Sequence, residues 1–434
     1  MKKPTLLLIH PAALKDSCRS TRRRKSSVAQ LNLLVIAAYA RKYFDVRIID
    51  ENIEEINEEV FADLVGITIM TSTALRGYEI AGRFRKRGIP VLMGGVHVFF
   101  LPDEAVHHAD SLVIGESEEI LENIFTDFFQ GDLKKVYRAE KLHDLHDLPT
   151  PPLELLKEGA YSFRNIMETA RGCPHDCEYC SVSQFWGRKF RFRPVDEVID
   201  SIKHMPPGDI LFIDDNIFGH SNRAKELFEK MIPLKRRWYG QGDIRVAHNP
   251  ELLDLAARSG CKWVFVGFES TNPDNLKAMK KDKVNIAEQY AESISLVQKR
   301  GINIFGSFIF GLDYDDKSVF DNTLHFCTDN RLGGANFYIL TPFPGTRLFK
   351  KMEEDGRILH KDWSRYDANH VVFKPTLMTE SELMEGYIDA YKRFYSLPSI
   401  AKRLSGKRND FFEILALNLG RSMNRKYFEE GCRI

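Results

Sequence analysis

Three cysteines within eight residues constrain what this chain can be more than any other feature of its sequence. Cys173, Cys177 and Cys180 are spaced C-x3-C-x2-C, and thiolates this close together select iron–sulfur clusters, zinc or copper(I) over harder ions. A structural zinc ion takes four protein ligands, and a cubane cluster is usually held by four cysteines. Three thiolates therefore indicate a cluster with one iron left open for a substrate. The alternative is a zinc loop with His175 as fourth ligand, although the spacing matches no common zinc pattern.

Length, charge and hydropathy exclude several classes of protein. The 434 residues suffice for two cores, and 62 basic against 61 acidic residues, a net charge of +1, give no field that favours a nucleic-acid partner. No apolar run approaches the roughly 18 residues that a membrane-spanning helix needs, and the first ten residues have the pattern of a buried strand instead of a signal peptide. Seven cysteines, an odd number, fit a reducing compartment. We therefore expect a cytoplasmic protein with no transmembrane segment.

Residues 1–142 alternate short apolar runs with helical patterns, which is typical of a doubly wound parallel (Rossmann-like) sheet in an α/β fold. Such sheets bind ligands at the carboxyl ends of their strands, and glycine there lets a backbone approach a ligand closely. Neither G-x-G-x-x-G nor a P-loop is present, so nucleotide binding of those kinds is disfavoured. His97 is equally compatible with an ordinary loop histidine. The candidate contacts at the predicted strand ends are Thr71, Ser72, Gly94, Gly95, His97, Gly115 and Glu116.

A linker with three prolines in four residues, within 143–160, separates this domain from the next, because such a stretch neither continues a helix nor pairs within a sheet. Residues 161–350 then repeat strand and helix, which predicts a partial (β/α)6 TIM-type barrel with its chemistry at the carboxyl ends of the strands. A mainly helical region over 351–434 follows. The predicted barrel strands are 166–170, 209–214, 238–243, 262–269, 302–311 and 336–340.

The cysteine triad, with the aromatic Tyr179 before its last cysteine and a barrel after it, resembles the signature of the radical S-adenosylmethionine (SAM) superfamily. The resemblance implies a [4Fe-4S] cluster whose open iron is chelated by the amino and carboxylate groups of SAM. It also implies reductive cleavage of SAM to a 5′-deoxyadenosyl radical, with a flavodoxin or ferredoxin as electron donor.

The same resemblance implies roles for residues at the ends of the barrel strands. SAM presents an amino group, a carboxylate, ribose hydroxyls and adenine, so its site needs acceptors, a cation or backbone donors, and an apolar wall. Glu269 and Ser270 would contact SAM, Arg245 its carboxylate and Gly306 its adenine, while an ordinary polar group at the barrel rim is the alternative. The expected contacts are Tyr179, Asp214, Asp215, Arg245, Glu269, Ser270 and Gly306.

The first domain resembles the cobalamin-binding domain that precedes the barrel in one class of radical SAM enzymes, on the residues 63–68, 93–97 and 114–116. The D-x-H-x-x-G sequence, whose histidine ligates cobalt in mutases, is absent, so we expect cobalamin with a free lower face. A domain of the same fold without cobalamin is the alternative. The basic run Arg19–Lys25 is either a solvated loop or a site for an anionic group.

The whole chain is similar to the hopanoid-methylase-like members of that class, in which a helical region after the barrel closes the site; Trp363, Tyr366 and His370 are the candidate substrate contacts. The implied function is cobalamin-mediated radical C-methylation of a lipid, isoprenoid or natural product. Three alternatives stay open: cobalamin-independent radical coupling or rearrangement, a methylthiotransferase, and a non-catalytic metal-binding protein. A methylthiotransferase needs further cluster cysteines in the first domain, which has only Cys18. The isolated cysteines, expected to be dispensable for the cluster, are Cys18, Cys261, Cys327 and Cys432.

Overall fold

The computed structural model places two parallel sheets one after the other along the chain. The basic run Arg19–Lys25 and the isolated Cys18 and Cys432 lie outside the residues whose structure is described. The described residues are 2–13, 26–57, 59–406 and 410–423.

Strands and helices alternate through most of the described chain, as the sequence predicts. The strands there are β1 (Thr5–His10), β2 (Ser26–Val28), β3 (Asp45–Asp50), β4 (Leu64–Thr68), β5 (Val91–Gly94), β6 (Ser111–Ile114), β7 (Val136–Arg138), β8 (Tyr161–Phe163), β9 (Asn165–Met167), β10 (Ala170–Arg171), β11 (Arg191–Phe192), β12 (Ile210–Phe212), β13 (Trp238–Gly242), β14 (Cys261–Glu269), β15 (Asn303–Phe310) and β16 (Gly334–Ile339). The helices are α1 (Leu31–Ala40), α2 (Ala74–Lys86), α3 (Val96–Phe100), α4 (Pro102–Ala105), α5 (Leu121–Gln130), α6 (Val182–Phe185), α7 (Val195–His204), α8 (Ser221–Met231), α9 (Pro250–Arg258), α10 (Pro273–Ala278), α11 (Tyr290–Lys299), α12 (Ser318–Asp329), α13 (Arg347–Glu354), α14 (Glu380–Phe394), α15 (Leu397–Leu404) and α16 (Phe411–Met423).

The first sheet is parallel throughout, in the order β3-β1-β4-β5-β6-β7. Side chains of the inner strand β1 alternate between two apolar layers: Leu6 and Leu8 join the layer with α1 and α5, and Leu7 and Ile9 join the layer with α2. A strand that is apolar at every position is stable only where both faces are covered, which is why these runs form a doubly wound sheet. The predicted Rossmann-like fold is confirmed.

The second sheet is also parallel throughout, in the order β9-β12-β13-β14-β15-β16, so that successive βα units are neighbours as in a partial barrel. Its start differs from the predicted strand over 166–170. The chain pairs with β12 only over Asn165–Met167 and then turns, so that β10 pairs antiparallel with β11. This hairpin carries the cysteine loop at its tip, beside the carboxyl ends of the barrel strands.

The C-terminal helices cover the edge and one face of the barrel. α14 begins at the predicted cap, where the hydroxyl of Thr379 accepts the N–H of Glu382. The Tyr391 hydroxyl accepts the N–H of Phe337 and donates to its carbonyl, both at 3.1 Å, so side chains of α14 satisfy backbone groups of the edge strand β16. None of the described helices is long and apolar enough to cross a membrane.

Candidate active site

The three cysteines lie in the loop between β10 and β11, with Cys177 buried and Cys173 and Cys180 partly exposed. All three are free thiols. Burial raises the pKa of each, that of Cys180 to about 11, and Cys177 interacts electrostatically with the other two. A positively charged group is therefore needed to favour thiolates here.

The donor set fits a cluster better than a single ion. Among the described residues, no three His, Cys, Asp or Glu side chains converge tightly enough to hold one metal ion. A cubane is wider than an ion, so its thiolate ligands stand farther apart. His175, the fourth ligand of the alternative zinc loop, has its Nε2 3.3 Å from Nη2 of Arg245. The three thiols fit a [4Fe-4S] cluster held by three cysteines.

Lys281 supplies the positive charge, and no sequence motif predicts its place beside the cysteines. It follows α10, far from the triad along the chain, and its ammonium interacts with all three thiols. Burial opposes that charge, but the carboxylate of Glu269, 3.7 Å from Nζ, and the thiols raise the pKa of Lys281 above its ordinary value. A cation held this close stabilises thiolates and the negative charge of a cluster.

Glu269 and Tyr179, both predicted, are brought together beside Cys177. Glu269 ends β14 in the left-handed region, at φ 65°, a conformation that non-glycine residues adopt at a cost and that is frequent at functional sites. The Tyr179 hydroxyl interacts electrostatically with the Glu269 carboxylate and the Cys177 thiol. Ser270 is buried instead, and its hydroxyl accepts the N–H of Asn272 at 3.0 Å, which shapes the turn after β14.

The two neighbouring aspartates have different surroundings. Asp214 is 2% exposed, and its carboxylate accepts both the N–H, at 2.6 Å, and the hydroxyl of Thr169, so it ties the end of β12 to the chain entering the cysteine loop. Asp215 is partly exposed and interacts electrostatically with Cys173 and Cys180; burial raises its pKa to about 7. Asp215 is therefore the aspartate that faces the cysteines.

Of the two remaining barrel candidates, Arg245 lies near the cysteine loop and Gly306 lies within the sheet. Arg245 is exposed near the loop through its contact with His175, while its Nε and Nη2 each donate to Asp243 at 2.9 Å. Gly306 lies in the middle of β15. A Cβ on Gly306 would lie 2.9 Å from Phe308 and 3.0 Å from Leu332. The side of Gly306 that would carry a side chain therefore faces the layer between the sheet and the outer helices.

Most of the candidate residues at the strand ends of the first domain are packed against the domain's own backbone and side chains. Thr71 and Ser72 are buried in a 3-10 turn after β4. A Cβ on Gly95, at φ 107°, would lie 2.4 Å from the carbonyl oxygen of Ile69, so this glycine is needed by the turn itself. A Cβ on Gly94 would lie 3.3 Å from the carbonyl oxygen of Val113, also within the sheet.

Two apolar side chains nevertheless stay exposed at this edge, Met70 at 55% and Leu75 at 37%. Apolar side chains exposed at the carboxyl ends of the strands are available to contact a ligand bound there. The face of a corrin is flat and largely apolar, so this edge fits cobalamin. His97 is fully buried and does not present its imidazole at this surface.

His97 is completely buried, and its Nε2 lies 3.3 Å from Oε1 of Glu104. Burial lowers its pKa. The indole N–H of Trp363 donates to the same carboxylate, at 2.9 Å to Oε2, and packs edge-on to the imidazole. Tyr366 is also fully buried, and His370 pairs with Asp367. Trp363 and Tyr366 thus anchor the C-terminal region on the first domain.

Gly115 and Glu116 form the end of β6. Gly115 adopts φ 94°, and a Cβ there would lie 3.2 Å from that of Ala139. The Glu116 carboxylate turns toward the barrel and binds Arg171 and Arg191, one on each strand of the hairpin that carries the cysteines. Arg171 was not singled out from the sequence; its position two residues before Cys173 was the available signal.

Replacing Gly172 by alanine should impair cluster loading. Gly172 precedes Cys173 at φ 89°, and a Cβ would lie 2.3 Å from the carbonyl oxygen of Lys189 across the hairpin. The left-handed backbone alone costs about 1–2 kcal/mol for a residue with a Cβ, and the clash forces the strands apart. We expect lower iron content after reconstitution, measured per chain. The matched control is Gly82→Ala, in α2 with nothing within 4 Å of the added Cβ, which should retain iron and be more stable by about 0.5–1 kcal/mol.

Comparison with known proteins agrees with this layout. The family model of the radical SAM superfamily matches residues 167–327, the B12-binding domain matches 21–125, and a domain of unknown function (DUF4070) matches 346–416. Bacteriochlorophyllide d C-12(1)-methyltransferase of Chlorobaculum tepidum is 36% identical over 390 residues, which cover 87% of this chain and 85% of that protein. The chain belongs to the cobalamin-dependent radical SAM methyltransferases.

Further relatives of this methyltransferase support the same family assignment. The hopanoid C-2 methylase of Rhodopseudomonas palustris is 26% identical, over 86% of this chain and 72% of that protein. Among solved structures, the cobalamin-dependent radical SAM enzyme OxsB matches at a TM-score of 0.70 and 17% identity, over 98% of this chain and 72% of that chain. TsrM from Kitasatospora setae matches at 0.65 and 18% identity, over 81% and 75%. The enzyme accordingly uses a [4Fe-4S] cluster, SAM and cobalamin.

Proposed function

We propose that this methyltransferase places a methyl group on an unactivated carbon of a large apolar ring system, of the cyclic tetrapyrrole class. The observation that carries the proposal is the relationship over 87% of the chain, both cofactor domains and the C-terminal region included, to an enzyme named for a bacteriochlorophyllide. A second relative, 30% identical over 80% of the chain, is named for another carbon of bacteriochlorophyllide d. The hopanoid C-2 methylase is 26% identical to this chain, so a hopanoid-type polycyclic lipid is the second candidate substrate.

The residues around the cysteine loop have separable roles in this reaction. Cys173, Cys177 and Cys180 hold the cluster, and the charge of Lys281 stabilises their thiolates. When bound, the cluster, SAM and cobalamin together supply the electron, the hydrogen-abstracting radical and the methyl group. Glu269, held by its backbone at the end of β14, offers a carboxylate acceptor to the amino group of SAM.

Binding of SAM at the rim also involves the groups around Arg245. Its guanidinium is partly exposed beside the cysteine loop and carries the positive charge that a SAM carboxylate needs. Asp215 faces the cysteines and provides a second acceptor, whereas Asp214 keeps the loop in place. The proposal further includes a flavodoxin or ferredoxin as electron donor and a reducing compartment, the cytoplasm, in which the three free thiols persist.

The substrate class is tested with methyl-labelled SAM. Protein reconstituted without oxygen with iron, sulfide and hydroxocobalamin is reduced and offered a panel of chlorophyllides, protoporphyrins and pentacyclic triterpenes. We expect label in a tetrapyrrole, together with 5′-deoxyadenosine and S-adenosylhomocysteine. Label in a triterpene alone would overturn the tetrapyrrole class. Deoxyadenosine with no labelled product from any compound, and no dependence on corrin, would favour radical coupling or rearrangement instead.

A further inference from the structure

Glu116 stands at the carboxyl end of β6, on the edge where a cofactor is expected, but its carboxylate faces the other domain. It is 3% exposed. Its Oε2 accepts hydrogen bonds from Nη1 of Arg171 at 3.0 Å, from Nη1 of Arg191 at 2.9 Å and from the backbone N–H of His143 at 3.0 Å. Its Oε1 accepts a hydrogen bond from Nη2 of Arg191. Both oxygens are therefore occupied by protein donors, and Glu116 is a poor candidate for a direct contact to cobalamin.

The donors to Glu116 all belong to segments that fix the cysteine loop. Arg171 lies on β10 and Arg191 on β11, the two strands from which the loop extends. His143 is the first residue of the linker between the domains. One carboxylate of the first domain thus binds both strands of the hairpin and the start of the linker.

Arg171 is surrounded on its other sides as well. Its Nη2 donates to Glu118 and its Nε to Glu168, both at 2.7 Å, and its guanidinium stacks over Trp186 at 4.9 Å. Its side chain is 5% exposed. Each of the three guanidinium nitrogens donates to a different carboxylate, so the position of this side chain is tightly specified.

Buried ion pairs add little net stability over apolar packing, and their best-attested use is to specify one arrangement over others. The methyl transfer requires the corrin, on the first domain, and the cluster, on the barrel, to act on one substrate. A misplacement of about 1 Å can cost up to 10²-fold in rate. Trp363 with Glu104 joins the first domain to the C-terminal region, and Phe99 packs edge-on to Phe185 of the loop at 4.9 Å. Neither contact involves both strands of the hairpin, whereas Glu116 binds both.

We propose that Glu116 is a positioning residue: by binding Arg171 and Arg191 it fixes the first domain against the cysteine hairpin and sets the separation of the corrin and cluster sites. This rests on the proposed function, because it assumes that both cofactors act in one reaction. Glu116→Gln tests it, since the amide would turn N–H groups toward guanidinium N–H groups that now meet an anion.

The direct measurement is the distance between cob(II)alamin and the reduced cluster in the full chain, by pulsed electron paramagnetic resonance. We expect a narrow distribution in the wild type and a broad or shifted one in Glu116→Gln, with iron and corrin still bound. The ratio of methylated product to 5′-deoxyadenosine should fall by about tenfold. The control is Glu122→Gln, an exposed glutamate on α5, which should leave the distribution and the ratio unchanged. An unchanged, narrow distribution in Glu116→Gln would overturn the inference.

A second readout does not depend on corrin. Trypsin cleavage within 143–160 should accelerate by about tenfold in Glu116→Gln and not in Glu122→Gln, because the rate tracks opening of the held segment. Arg191→Lys keeps the positive charge but loses the bidentate contact with Glu116, so its cleavage rate should lie between those of the two glutamate variants. It replaces Glu116→Gln in the test if that variant does not fold. Absence of corrin in the wild type would contradict the proposed function alone, whereas equal cleavage rates in all variants would contradict the positioning role.

Discussion

Replacing Cys177 by alanine should abolish the cleavage of SAM, with 5′-deoxyadenosine falling to the level of protein-free controls. Cys177 is the central and most buried of the three cysteines, and it interacts with both of the others. A cubane held by two thiolates loses iron, and without a cluster no electron reaches SAM. Iron per chain and the absorbance of the reconstituted protein should fall together with deoxyadenosine. Retained deoxyadenosine formation would refute the cluster assignment.

The matched controls are the isolated cysteines of the barrel. Cys261 is 4% and Cys327 0% exposed, and neither belongs to the cysteine loop. Cys261→Ala and Cys327→Ala remove one buried sulfur each and should cost about 1 kcal/mol of stability, with iron content and deoxyadenosine formation retained. Loss of iron from either variant would show that cluster ligation extends beyond the triad.

Arg171→Met should be the most destabilising single change at the contact between the domains. It removes the cation that pairs with Glu118 and Glu168 and that shares Glu116 with Arg191. Removing one partner of a buried ion pair costs about 3–5 kcal/mol, because the other charge stays buried without compensation. Urea unfolding followed by tryptophan fluorescence measures the loss. The control is Arg83→Met, whose pair with Glu79 on α2 is partly exposed and worth about 0–1 kcal/mol.

The effect of Arg171→Met should also depend on pH. Burial opposes the charge of Glu118, but Arg171 lowers the pKa of that carboxyl below its ordinary value in the wild type. This contribution to stability is present above the unfolded pKa, about 4.5, and is lost as pH falls through the folded value. In the variant, a backbone hydrogen bond and His143 still favour the carboxylate, but without Arg171 burial outweighs them and the pKa of Glu118 rises, so protonation relieves the penalty. The destabilisation should therefore be larger at pH 8 than at pH 5; equal values at both would contradict this account.

Both sheets could be predicted from the sequence because local patterns decide them. Alternating apolar layers such as Leu6 and Leu7 require helices on both sides of a parallel sheet. The close spacing of the cysteine triad predicts a shared ligand regardless of the surrounding fold. The turn after β9 was missed, since the pairing of β10 with β11 depends on residues twenty positions apart.

The site could be predicted only where a residue's position along a strand settles its role. Glu269 follows β14 and lies beside Tyr179 and Cys177, as such a position favours. A strand end does not tell which way a side chain turns, so Glu116 and His97 were assigned to cofactor binding although both face protein.

Lys281 was missed for a different reason. The interactions of its ammonium with the three thiols join segments about a hundred residues apart, and lysines are common in exposed turns. Arg171 likewise acquires its partners across the contact between two domains. Long-range partners of this kind are set by the folded arrangement and leave no local pattern.

The most direct test of the central claim is the cofactor content of the full chain, purified and reconstituted without oxygen and with hydroxocobalamin present. Iron analysis, the ultraviolet–visible spectrum and electron paramagnetic resonance of the reduced protein report both cofactors in one sample. The account predicts about four irons per chain, in one cluster with an open iron that responds to added SAM, together with bound corrin. Zinc in place of iron, or a cluster whose spectrum SAM leaves unchanged, would contradict it.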